Sequence, residues 1–118
     1  MARKSRPLKT SFWSDDKVCR LSRDARLTLA GLITMHADDE GRFLATPQAI
    51  GGAIYPHDDL PPARIKRWLA EIEAEGMVVV YRVNGGTYGW LRGWARHQTP
   101  PHPTPSTIPP PEEAGQNS

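Results

Sequence analysis

Basic side chains on one amphipathic segment are the strongest chemical signal in this chain. Between Pro62 and Glu75 the apolar residues recur at helical spacing, and Arg64, Lys66 and Arg67 lie among them near the start. Arginine and lysine near the exposed N-terminal end of a helix are the residue types that contact DNA phosphates and base edges. The segment therefore predicts a DNA-contacting helix. Its packed face is expected to consist of Ile65, Trp68, Leu69 and Ile72.

Other basic residues are expected to extend this contact surface. Arg82 and Arg92 lie in two segments predicted to be the strands of a hairpin. An N-terminal arm, residues 1–11, adds Arg3, Lys4, Arg6 and Lys9. Acidic residues limit the same surface, because Glu71, Glu73 and Glu75 would repel phosphate from the second half of the helix. Contact is therefore expected only along its first two turns, and the alternative is that all these charges are simply solvated.

The distribution of charge supports a two-sided surface more than the total does. The formal net charge is only +2, but it divides into +5 over residues 1–23, −4 over 24–63, +3 over 64–98 and −2 in the tail. Two basic blocks separated by an acidic one can give a molecule with one positive side. That side would favour a polyanionic partner such as double-stranded DNA.

An acidic loop is the second candidate site. Asp38, Asp39 and Glu40 follow His36, and oxygen and imidazole ligands of this kind can hold a divalent cation. The spacing matches no metal-binding loop, so a charged loop at a helix end is the preferred interpretation. No phosphate loop, zinc spacing or nucleophile motif is present, and the sequence predicts neither an enzyme nor a cofactor or metal.

The aromatic residues allow a different function, namely docking of a protein partner. Trp13 and Trp68 are expected in the core. An exposed Phe12-Trp13 pair or an exposed Trp94 would instead serve as an aromatic anchor, since such side chains dominate binding energy in interfaces. A module for protein interaction or dimerisation, without direct DNA binding, is therefore the alternative function.

The elements that would position these residues follow from caps and periodicity. Ser14 is the expected N-cap of a short helical turn, Ser22 and Thr46 are the expected N-caps of the next two helices, and Pro61-Pro62 opens the third. Helices are predicted from residue 23 to about 37, over 47–54 and over 62–75, with a short extended piece at 42–44 between the first two. Strands at 77–83 and 87–92 flank Asn84-Gly85-Gly86, which is typical of a hairpin turn. This order predicts an α+β winged helix-turn-helix, with a three-helix core and the hairpin as its wing.

The domain is expected to end before a proline-rich tail. Seven of the twelve prolines lie between Pro100 and Pro111. We therefore assign residues 12–98 to the winged-helix domain and 99–118 to a disordered tail, which acts either as a spacer or as a polyproline ligand for an aromatic groove. Cys19 is the only cysteine, so an internal disulfide is excluded and a cytoplasmic location is expected.

Several stretches together resemble the start of phage-encoded replication-initiation proteins. The stretches are Phe12-Trp13-Ser14-Asp15-Asp16-Lys17-Val18, Arg20-Leu21-Ser22, Ala25-Arg26-Leu27, Gly31-Leu32, Ala37-Asp38-Asp39-Glu40-Gly41-Arg42, Trp68-Leu69, Gly76, Tyr88-Gly89-Trp90, Trp94 and His97-Gln98. The resemblance continues into Pro103-Thr104-Pro105-Ser106 and Pro109-Pro110-Pro111 and so covers essentially the whole chain.

This resemblance implies a fold and a role. The N-terminal domain of these replisome organisers is a winged helix similar to that of DnaD-like primosomal proteins. It implies binding of origin DNA, or assembly of a helicase-loading complex, in the cytoplasm of a bacterial host. Many such proteins continue into a second helical domain. This chain is therefore expected either to be a stand-alone winged helix with a regulatory role or to act with a partner protein that supplies the second part, and winged helices of this kind can also form homodimers.

Overall fold

The computed structural model describes residues 5–114 of the chain. The first short helix, α1, spans Asp16–Cys19. Its N-cap is Asp15 and not Ser14, because the Asp15 carboxylate accepts hydrogen bonds from the backbone N–H groups of Lys17 and Val18 at 2.8 and 3.2 Å. Val18 is buried and attaches α1 to the core.

The next predicted helix consists of two pieces. α2 spans Arg23–Gly31, and its N-cap Ser22 accepts a hydrogen bond from the Ala25 N–H at 3.3 Å. The chain then forms one π-helical turn over Leu32–His36. The Ala37 N–H donates to the Leu32 carbonyl at 2.9 Å, and the π-helical turn ends there. The helical segment as a whole therefore ends close to its predicted end at about residue 37.

Two further helices have the predicted positions. α3 spans Pro47–Ile54, where the Thr46 hydroxyl accepts the Ala49 N–H and proline occupies the first turn. α4 spans Pro62–Ala74 and ends just before Gly76, whose φ of 75° reverses the chain without strain.

Three strands form one antiparallel sheet. β1 spans Arg42–Leu44, β2 Val78–Val83 and β3 Gly86–Leu91, in the spatial order β1-β3-β2. The turn between β2 and β3 is made by Asn84 and Gly85, both with positive φ, as the sequence predicted. A last short helix, α5, follows at Trp94–His97. Residues 5–114 thus form a compact mixed α/β domain with five helices and a three-stranded sheet.

The core lies between the inner face of this sheet and the helices. Phe43 of β1 pairs with Gly89 of β3, and the aromatic ring lies where a side chain at residue 89 would otherwise be. The ring is only 1% exposed. On α4 the predicted apolar face is confirmed, since all four of its members are buried: Ile65, Trp68, Leu69 and Ile72.

The proline-rich segment differs from its prediction. Residues 104–109, predicted to belong to a disordered tail, lie against the acidic loop and the outer face of the sheet. Residues 115–118 of the predicted tail lie outside the described residues. Proline lacks the N–H needed for regular structure, but its carbonyl still accepts hydrogen bonds, and the Tyr81 hydroxyl donates one to Pro109. Within residues 5–114, no helix has the length and apolar character needed to cross a bilayer.

Candidate nucleic-acid interface

The first half of α4 presents three cations to solvent. Packing of the opposite side of the helix forces Arg64, Lys66 and Arg67 outward, and all three are exposed. Among residues 5–114, no hydrogen-bonding or ion-pair partner is found for any of these side chains. Their charge is therefore not offset by a direct partner within the described chain. The N-terminal turn of α4 adds the positive end of the helix dipole.

The second half of α4 is acidic, but each carboxylate has an internal partner. Glu71 accepts hydrogen bonds from the backbone N–H and the hydroxyl of Ser22, and Glu73 accepts one from the Val80 N–H at 3.3 Å. Glu75 pairs with Arg20 at 2.9 Å. These glutamates hold α4 against its neighbours.

Arg20 balances the charge at this end of α4. The hydrogen bond and the negative charge of Glu75 raise the pKa of the Arg20 guanidinium, so it stays cationic. The repulsion expected from the acidic half of α4 is thus weaker than its composition suggests.

The hairpin adds Arg82 to the candidate interface, but Arg92 lies beyond the end of the hairpin and far from Arg82. Side chains alternate along β2, and Arg82 follows the core-facing Val78 and Val80 on the helix side of the sheet. Arg92 is not on a strand: β3 ends at Leu91, and the Arg92 N–H bonds to the Met77 carbonyl at the base of the hairpin. The two arginines are about 13 Å or more apart along the strand direction.

Arg6 was predicted to contact DNA, and the structure contradicts this. Its guanidinium pairs with the Asp39 carboxylate at 2.9 Å and lies 5.2 Å from the centre of the Trp94 ring. It also donates to the Ala37 carbonyl. The side chain is only 10% exposed, because an arginine fork satisfies several buried acceptors at once.

The other residues of the predicted arm have mixed outcomes. Lys9 is exposed and its ammonium lies 3.5 Å from the Arg96 carbonyl. Arg3 and Lys4 lie outside the described residues. The arm does not stand apart from the domain over its described part, because the Gln98 side chain donates a hydrogen bond to the Pro7 carbonyl at 2.8 Å.

The aromatic anchors also differ from the sequence prediction. Trp94 is 7% exposed and its indole N–H donates to the Asp39 carbonyl, so it is a core residue and not a docking group. Trp13, expected in the core, is 58% exposed. The half-buried Phe12 supports it, with the two rings edge to face at 4.9 Å. Phe12-Trp13 therefore remains available as an anchor.

The acidic loop binds protein groups. Asp39 holds Arg6 and the Thr104 N–H, and the backbone N–H of Ser106 donates to Glu40. His36 faces away toward the Leu44 carbonyl. Over residues 5–114 the structure contains no group of three or more His, Cys, Asp or Glu side chains arranged for a metal ion. The loop thus holds both Arg6 of the N-terminal arm and the proline-rich segment.

No family model, curated protein or solved structure matches this chain. Any statement about its activity therefore depends on the chemistry of its own side chains and on the resemblance described above.

Sequence reasoning missed Arg42 and Tyr81, which hold the proline-rich segment through its carbonyl groups. A signal was present, since aromatic residues alternate along β3 and a run of prolines follows shortly after. Without the register of the sheet, the pattern did not show that these side chains share one face.

Proposed function

We propose that this chain is a winged-helix protein that binds double-stranded DNA through α4 and the β2–β3 hairpin. In this proposal it acts in the initiation of phage or prophage DNA replication, or in its regulation. The element order helix, strand, helix, helix, hairpin and the sheet order β1-β3-β2 support the winged-helix assignment. The link to replication is supported only by the resemblance of the sequence to replication-initiation proteins.

One observation carries the proposal. Three adjacent cations, Arg64, Lys66 and Arg67, are exposed on the first turns of α4 and have no acidic partner in residues 5–114. Because the opposite face of α4 packs in the core, the helix can place these cations in a major groove while its own packing stays intact. Arg82 projects from the same side of the sheet on which the helices pack and supplies a phosphate contact from the hairpin.

A salt-dependent mobility-shift titration tests this proposal. Each phosphate contact releases counterions, so the double variant Arg64→Ala/Arg67→Ala is expected to bind duplex DNA at least tenfold more weakly. The slope of log affinity against log salt should fall by about 2. Binding that is unchanged in affinity and slope would remove α4 from the interface.

A matched variant controls for the loss of charge alone. Lys17→Ala/Arg23→Ala also removes two exposed cations, and these residues belong to α1 and α2. We expect this variant to retain the wild-type salt slope to within about half a unit, because a non-contacting charge acts only through the screened long-range field. Equal losses in both variants would mean that attraction is diffuse.

Exposed apolar groups favour a second candidate function, a protein-interaction module of a primosome or regulatory complex. Trp13 is 58% exposed, a large fraction for a tryptophan, and it stands beside Phe12. Light scattering with Trp13→Ala tests this. An oligomer that the substitution dissociates and that ignores DNA supports the second function, whereas a monomer that binds DNA supports the first.

A further inference from the structure

The proline-rich segment occupies a site with donors and acceptors in matching positions. Its N–H groups meet carboxylates: Thr104 donates to Asp39 at 2.9 Å and Ser106 donates to Glu40 at 2.6 Å. The hydroxyl of Ser106 donates to Asp38. Carboxylates of the acidic loop thus accept the backbone N–H groups of both Thr104 and Ser106 in the first half of the segment.

The second half of the segment is bound through its carbonyl groups. Arg42 of β1 donates to the Ile108 carbonyl at 2.8 Å, and the Tyr81 hydroxyl donates to the Pro109 carbonyl at 2.7 Å. Pro110 has φ −71° and ψ 158°, which is a polyproline II conformation. An aromatic hydroxyl on a carbonyl of an extended proline segment is a recurring way to recognise such segments.

The outer face of the sheet provides the apolar part of this site. Arg42, Trp90 and Val79 share one face by register, and Tyr81 and Tyr88 are paired on it with ring centres 5.9 Å apart. Tyr81 is 6% exposed, although it lies on the side of the sheet away from the helices. The segment therefore covers a face that would otherwise be open to solvent.

The attachment of this segment is separable from the rest of the fold. Across the described chain, the only backbone-to-backbone hydrogen bonds of residues 99–114 are local ones within its last turn. The polar contacts to the domain described above each use a side chain on at least one partner. The segment thus binds to a surface that the rest of the domain forms, and it adds no strand to the sheet.

The linker before the segment also has room to move. Gln98 is fixed by its bonds to Trp94 and Pro7, but residues 99–103 bridge an open groove of about 530 Å³. The groove is bordered by Trp90 and Trp94 on the domain side and by Pro100 and Pro103 on the linker side. Five extended residues reach about 16 Å, enough to turn the segment away from its own domain.

We propose that the acidic loop and the outer sheet face form a binding site for the proline-rich segment of a second copy of this chain. In that arrangement two copies exchange residues 104–111, and each segment makes on its partner the contacts it makes here within one chain. Exchange of an identical element costs no contacts, which is why it is a common route to dimers. The tethered segment competes at a high effective concentration, so an isolated chain at low concentration is monomeric.

Mixing two complementary variants tests the proposal independently of DNA binding. The acceptor is the full chain with Ser106→Asp/Ile108→Asp, which sets a new carboxylate at residue 106 against Asp38, replaces the half-buried Ile108 with a charged side chain and so releases its own segment. The donor is the full chain with Arg42→Ala/Tyr81→Phe, which has an intact segment and a defective site. Sedimentation velocity should show a monomer for each alone and a 1:1 heterodimer in the mixture. A mixture that stays monomeric overturns the proposal.

Two further measurements separate exchange from side effects. A donor that also carries Ser106→Asp/Ile108→Asp should form no heterodimer with the acceptor. If the first donor folds poorly, a labelled peptide with the sequence of residues 99–114 replaces it. Its binding to the acceptor, followed by anisotropy, should be at least tenfold tighter than to the wild-type chain, whose site is occupied. Absence of saturable binding to a folded acceptor contradicts the proposal as firmly as a monomeric mixture.

Discussion

The Glu71 carboxylate on α4 accepts hydrogen bonds from both the backbone N–H and the hydroxyl of Ser22, at 2.9 and 2.8 Å. Ser22 is at the same time the N-cap of α2. One acidic side chain therefore fixes the start of another helix and sets how α4 lies beside it. The position of the exposed cations on α4 depends on this contact, since α4 carries them as a rigid element.

A double-mutant cycle measures that contact. Glu71→Ala is expected to lower the free energy of unfolding by about 1–2 kcal/mol, because a charged hydrogen bond to the cap is lost. Ser22→Ala should cost a similar amount, and the double variant less than the sum, with a coupling of about 0.5 kcal/mol or more in urea unfolding. Strict additivity would mean that the two residues act separately.

Arg6 is expected to affect stability and not DNA affinity. Removing it takes the Arg6 guanidinium away from the Asp39 carboxylate, whose side chain is 4% exposed. Arg6→Ala should cost about 3–5 kcal/mol of unfolding free energy. Arg6→Lys keeps the charge but loses the planar guanidinium, so its free energy of unfolding should lie between those of the wild type and Arg6→Ala. A reduced salt slope of DNA binding in an Arg6→Ala chain that still folds would restore Arg6 to the interface.

Two glycines should respond to alanine in opposite directions. At Gly89 a Cβ would collide with the Phe43 ring, and overpacking of this kind costs about 1–3 kcal/mol. At Gly52, on the exposed side of α3, no atom lies within 4 Å of a new Cβ. Gly52→Ala should therefore stabilise the protein by about 0.4–1 kcal/mol through the unfolded state. Thermal unfolding that ranks the two variants in the reverse order would contradict the pairing of β1 with β3.

Tyr81 is expected to report docking of the proline-rich segment by its titration. Burial raises the pKa of Tyr81 to about 12 from an ordinary value of 10.0. The neutral phenol is therefore favoured in the folded state, so its contribution to stability is complete below pH 10.0 and is lost as pH rises toward 12.

Ultraviolet absorbance of the phenolate follows this titration. Tyr81→Phe should remove the phenol whose pKa is about 12. Releasing the segment with Ser106→Asp/Ile108→Asp should return the pKa of Tyr81 toward its ordinary value. An unchanged titration in that variant would show that the segment does not cover the ring.

Local signals were sufficient to predict most of the elements. The caps Ser22 and Thr46, the opening prolines of α4 and the turn at Asn84 predicted the helices and the hairpin to within about two residues, because these signals act over a few positions of chain. The exposure of Arg64, Lys66 and Arg67 followed from helical periodicity in the same way.

Contacts between distant parts of the chain were not predictable. Arg6 and Asp39 are separated by 33 positions, and Tyr81 and Pro109 by 28. A basic residue in a polar arm looks the same in the sequence whether it meets DNA or a buried carboxylate. Proline content likewise indicates a lack of regular structure, but it does not indicate whether an extended segment meets an aromatic face of its own domain.

Amide chemical-shift mapping of the full chain during titration with duplex DNA tests the central claim most directly. The proposal predicts salt-sensitive shifts concentrated in residues 62–68 of α4 and 82–87 of the hairpin, with the docked segment at 104–111 unaffected. Shifts confined to the outer sheet face and the proline-rich segment, or no shifts at low salt, would contradict DNA binding by this surface.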